Sequence, residues 1–216
     1  GLRSRIVVPL TGVYAENDHV LGHELVHAYQ FQIAKDLALG SLGADAQIPL
    51  WFIEGMSEYI TLGRRAPLTA LWMRDAVLHN YLPRIEQIGT DQRYFPYRYG
   101  HAIWAFIGGV WGDSIIGPLY ESVLSMGLEQ GFQATLGLTL DSLSGFWRAT
   151  TIEELGDDLE ERQPPSEVGT PLISGNGGIN IAPAISPDGK YLAFISSKDL
   201  FTIDLYLADA HTGKVL

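Results

Sequence analysis

The run His23-Glu24-Leu25-Val26-His27 constrains this chain more than any other stretch. Two histidines four positions apart share one face only if the backbone between them is helical. Asn17 and Asp18 precede them and have N-cap chemistry. Val20, Leu21, Leu25, Ala28, Phe31 and Leu37 recur at helical spacing. The pattern predicts a helix over 18–39 with an apolar stripe turned to the core and a stop at Gly40. Both imidazoles then present a nitrogen to one ion, and Glu24 stands beside them, in reach of a water on that ion. A lone histidine on an apolar face is ordinarily a packed core residue. A pair at this spacing around a glutamate points instead to Zn2+.

A catalytic zinc takes three protein ligands and keeps one position open. The third must come from a second element lying across the first. Pro49-Leu-Trp-Phe-Ile-Glu54-Gly-Met-Ser-Glu58-Tyr59 supplies it. Pro49 suits a helix start, and Leu62-Gly63 suits its end. Glu54 is assigned as the third ligand. Glu58, one turn on along the same face, is assigned to support a ligand histidine, whose outward N–H ordinarily meets such a carboxylate.

HELVHAYQ followed by PLWFIEGMSEY resembles the gluzincin metallopeptidases, in particular the bacterial peptidase MA-like group. The resemblance covers about residues 6–150 and is specific at the two metal motifs. It implies zinc on His23, His27 and Glu54, with Glu24 as the general base and Glu58 behind a histidine. It also implies a tyrosine near Tyr97-Arg-Tyr99-Gly100-His101 facing the site. Tyr97 fits better than Tyr99; both are candidate donors to the oxyanion, with His101 behind them. Gly12–Asn17 looks like the amine-binding element of aminopeptidases in this clan. It lies too close to His23 for that use and reads as a turn, which favours an endopeptidase. A periplasmic or secreted bacterial setting is implied by the resemblance alone.

Composition narrows the partners. The net charge of −11 argues against nucleic acid and against anionic membrane surfaces. No apolar run is long enough to span a bilayer. With no cysteine, thiolate zinc ligation and a cysteine nucleophile are excluded. A peptide or protein substrate is what the resemblance implies.

Along the chain, Ile6–Leu10 reads as an edge strand, limited by Pro9. Further helices are predicted over 50–62, 67–82, 98–111, 114–126, 128–136 and 140–154, with a loop over 83–97. The acidic, proline-containing stretch 156–169 reads as an extended linker. Beyond it the period changes to two, in Ile179–Ile181, Tyr191–Ile195 and Asp204–Leu207. The phrase around Ser186-Pro-Asp-Gly189-Lys resembles a repeat of TolB-type β-propellers. Three parts are thus expected. Residues 1–155 form a mainly α, zincin-like metallopeptidase domain with an N-terminal edge strand, 156–169 a linker, and 170–216 the first antiparallel β blade of a truncated propeller. A chain that begins Gly1-Leu-Arg and ends inside such a repeat is expected to be a piece of a longer protein. The rival expectation is a zinc-containing, catalytically weak module whose propeller binds a protein partner.

Overall fold

The computed structural model describes residues 6–37, 48–160, 163, 165–173, 179–198 and 202–216. It divides into two compact units, Gly1–Glu161 and Arg162–Leu216. The stop expected at Gly40 lies outside the described residues.

The first unit is helical. Its elements are α1 (Tyr14–Asp36), α2 (Leu50–Leu62), α3 (Pro67–Leu78), α4 (Ile85–Ile88) and α5 (Pro96–Trp111). A 3-10 turn (Asp113–Ile115) leads into α6 (Ile116–Met126), and α7 (Leu128–Leu136) and α8 (Leu140–Glu160) follow. Residues 6–13 form no strand, so the expected edge strand of a zincin-like domain is not present among the described residues. Pro9, with no N–H to donate, sits in the middle of that stretch.

Helix α2 is the centre of the unit. Trp51, Phe52, Met56 and Tyr59 point one way and are buried. Phe52 packs on Trp104 of α5 with ring centroids 4.9 Å apart, and on Phe132 of α7 at 5.8 Å. The Trp104 Nε1–H donates to the Phe52 carbonyl at 2.8 Å. Each fully buried aromatic of this kind contributes on the order of 2–3 kcal/mol, so α2 is firmly seated. Its other side, with Glu54 and Glu58, turns to α1 and the start of α5.

Glycines let α5 reach that side. A Cβ built on Gly55 would lie 2.4 Å from the Gly100 carbonyl carbon, and one on Gly100 would lie 2.1 Å from the Trp51 carbonyl oxygen. The two helices therefore touch backbone to backbone, which only residues without a side chain allow.

Helix α1 differs from expectation in two ways. It starts at Tyr14, with Val13 as N-cap, because the Asn17 side chain is already committed. Its Oδ1 accepts from the Thr11 N–H at 3.0 Å, pinning the incoming loop. The buried face is also not the apolar stripe. His23, Val26, Gln30 and Ala34 are buried, while Leu21, Leu25, Tyr29 and Phe31 are exposed. The polar face is the one turned inward because its groups find partners on α2, which removes the cost of burying them.

The second unit holds α9 (Pro165–Val168) and an antiparallel sheet of β1 (Asn180–Ile185), β2 (Tyr191–Ser196) and β3 (Asp204–Asp209), in that order. The stretch expected to be an extended linker is thus helical in part: α8 continues to Glu160, and Pro165–Val168 forms a turn of helix. Glutamate and leucine are good helix formers, and they outweigh the acidic repulsion there.

A propeller blade is not what the sheet forms. A blade has four strands; among the described residues there are three, and beyond β3 an isolated bridge, Ala208 to Val215. Every residue of β1 is exposed. The β1–β2 register shifts between Ile181 and Ala184, where Ala182 takes φ +52°, an uncommon value away from glycine. The described residues are therefore mostly helical with one small three-stranded sheet, and the propeller expected from the sequence is withdrawn.

Candidate metal centre

Three donor atoms meet between α1 and α2. The His23 Nε2 lies 3.0 Å from Glu54 Oε2, the His27 Nε2 lies 3.1 Å from the same oxygen, and the two Nε2 atoms are 3.0 Å apart. Ligands of a tetrahedral zinc, each about 2.05 Å from the ion, are roughly 3.3 Å from one another. The observed triangle is within a few tenths of an ångström of that, and its members are two imidazoles and a carboxylate. The donor set fits Zn2+.

The outward nitrogens are held as a zinc site needs. The His27 Nδ1–H donates to Gln30 Oε1 at 2.7 Å, which leaves the lone pair on Nε2. Gln30 is buried and in turn donates from Nε2 to the Ile53 carbonyl at 3.1 Å. It fixes the tautomer of His27 and ties it to α2. The His23 Nδ1 lies 3.0 Å from Glu58 Oε1, at an angle poor for a hydrogen bond, and has no other partner. Glu58 also accepts from His19 Nε2 at 2.9 Å and from Arg98 Nη1 at 2.7 Å.

Charge at the site follows from these contacts. Burial disfavours charged His23, but its hydrogen bond to Glu54 and the Glu58 carboxylate 3.0 Å from its Nδ1 overcome this and raise it to about 9. His27 is raised for the same reasons, through Glu54 and Gln30. Burial pushes the other way on Glu54 and Glu58, yet histidine partners, together with the Arg98 charge for Glu58, hold each at about 2. Without a metal the site is a set of ion pairs, with protons standing where a cation would.

His19, His23 and Glu58 form a second three-donor group. Arg98 already balances Glu58, and His23 must keep a proton on Nδ1 for its Nε2 to face a cation. This group reads as the support of the first.

The tyrosines separate cleanly. Tyr97 stacks on His23, with centroids 5.8 Å apart and planes 18° apart. Burial and the charge of Glu54 push its hydroxyl up to about 12, so it stays protonated at neutral pH. Tyr99 is a core residue, edge-on to Tyr94 at 5.5 Å and Trp72 at 6.2 Å, and does not face the site. On α5, the two positions point to opposite sides of the helix. His101 is also buried away from the triad, bonded to Thr69 at 2.9 Å and to the Gly63 carbonyl at 2.8 Å. Glu24 is half-buried, next to His23.

Sequence reasoning missed Gln30, His19 and Arg98. Gln30 had a signal, since it lies three residues beyond His27 on the same face. Arg98 had none, because only the crossing of α2 and α5 brings it to Glu58.

No family model matches the chain, and no curated protein or solved structure matches it. The geometry of the site carries the functional reading.

Proposed function

We propose that this chain is a zinc-dependent peptidase. The observation that carries the reading is the convergence of His23 Nε2, His27 Nε2 and Glu54 Oε2 at 3.0–3.1 Å, with Glu24 adjacent. The gluzincin-like motifs support peptide bonds as the target. A periplasmic or secreted setting accompanies the same resemblance.

When bound, zinc lowers the pKa of a water to about 7 and polarises a carbonyl. The chain's own residues do the rest. Glu24 takes the proton of the attacking water and passes it to the leaving amine. Tyr97, protonated at neutral pH, donates to the oxygen on which negative charge develops. Gln30 and Glu58 keep both imidazoles turned to the cation. A purely structural site has no use for a base at Glu24, and a structural zinc is normally closed by a fourth protein ligand.

The test is metal content together with hydrolysis of a mixed peptide library. One zinc per chain and cleavage abolished by a chelator are expected. A chain that takes up no zinc, or that carries zinc and cleaves no peptide, overturns the reading.

A further inference from the structure

Glu58 is held from both of its carboxylate oxygens. Only 3% exposed, it lies between three elements. Its Oε2 accepts from Arg98 at the start of α5, and its Oε1 accepts from His19 one turn before His23 on α1. A buried carboxylate left without a cation costs several kcal/mol. Arg98, itself largely buried, is the fixed positive charge that removes this cost. It also restrains the carboxylate. With Oε2 held by the guanidinium and Oε1 by His19, the group cannot rotate, and Oε1 stays 3.0 Å from His23 Nδ1.

We propose that Arg98 and His19 are positioning residues of the metal site: they clamp Glu58, and Glu58 through its Oε1 sets the tautomer and tilt of His23. The assignment rests on the metal reading above and extends it to α5. Tyr97 and Arg98 are neighbours in the first turn of α5, so that one turn stacks on His23 and also braces the carboxylate behind it. Neither Arg98 nor His19 belongs to the ligand triad.

The experiment is zinc affinity of the full chain by competition with a chromogenic chelator, plus the visible spectrum of the cobalt-loaded protein. Loss of support behind a ligand histidine costs about 10–100-fold in metal affinity. Arg98→Met, one step further out, is expected near the lower bound, about 10-fold weaker, with a changed cobalt spectrum. Arg98→Lys keeps a charge for Oε2 and should recover affinity to within about threefold of wild type. His19→Ala, at a half-exposed position, should fold and bind zinc roughly threefold more weakly. An Arg98→Met protein that melts earlier yet keeps wild-type zinc affinity and cobalt spectrum has lost a structural ion pair only, which overturns the proposal. If that variant does not fold, His19→Ala decides: unchanged affinity overturns the clamp. Wild type that takes up no zinc overturns the metal reading and this assignment together. Normal wild-type uptake with unaffected variants overturns the assignment alone.

Discussion

In the proposed peptidase, Glu24 is the residue on which turnover would depend and metal binding would not. Glutamine has its shape but cannot take a proton from water. Glu24→Gln should therefore keep one zinc and lose peptide cleavage, by at least the 10²–10⁴-fold typical of a general base. Near-normal kcat would remove Glu24 from that role. Gln30→Met should remove the shorter contact to His27 Nδ1, leaving only Ser57 Oγ at 3.3 Å, and weaken zinc by up to about 10-fold in the same chelator competition. pH supplies a third test. His23 is charged in the metal-free fold below about 9, and a charged imidazole cannot ligate. Zinc affinity should rise with pH from neutrality and level off above about 9, with proton release on loading. A flat profile would mean that the proton is not where the contacts place it. For the metal-free fold, the His23 contribution is full below 6.5 and lost as pH rises through about 9. The Glu54 contribution is present above 4.5 and lost as pH falls towards about 2. Both are complete between these limits. At this scale the sequence was readable where the residues that converge share one helix: His23 with His27, and Glu54 with Glu58. It was silent on Arg98, forty positions from its partner.

Elements were legible where their punctuation is chemical. Helix α2 runs Leu50–Leu62 between Pro49 and Gly63, and α7 runs Leu128–Leu136 between Gly127 and Gly137, as the breakers imply. The start of α1 was misread because Asn17 has two uses, and the tertiary contact with Thr11 took the side chain from the cap. The stripe of α1 was misread for a different reason. Hydrophobic periodicity assumes that the buried face is apolar, and a face whose polar groups are paired across the helix interface is an exception to it. The packing of α2 on α5 gives the prediction at this scale. Gly100→Ala places a methyl against the Trp51 carbonyl. It should cost about 1–3 kcal/mol of stability by overpacking. The folded fraction should also bind zinc more weakly, because α5 carries Tyr97 and Arg98 away with it. Full zinc affinity in a destabilised Gly100→Ala would show that the crossing serves the fold alone.

For the molecule as a whole, every residue assigned to the site comes from α1, α2 and α5. A chain ending at Glu160 is therefore expected to bind zinc as the full chain does, by the same competition. Weaker binding would show that residues beyond Glu160 contribute. The second unit was the least legible part. Alternation and the Ser186–Gly189 turn located its strands, but strand number and coverage depend on neighbours that local pattern does not encode. The meeting of Gly55 and Gly100 has one more consequence, for anyone who screens sequences. The signature HExxH with W-x-x-E-G-x-x-E survives untouched in a chain whose residue 100 carries a side chain. Such a chain would pass every motif filter, yet a side chain at residue 100 would press on the Trp51 carbonyl and strain the crossing of the two helices that carry the motif and its brace. A screen for this arrangement gains by reading position 100 together with the motifs.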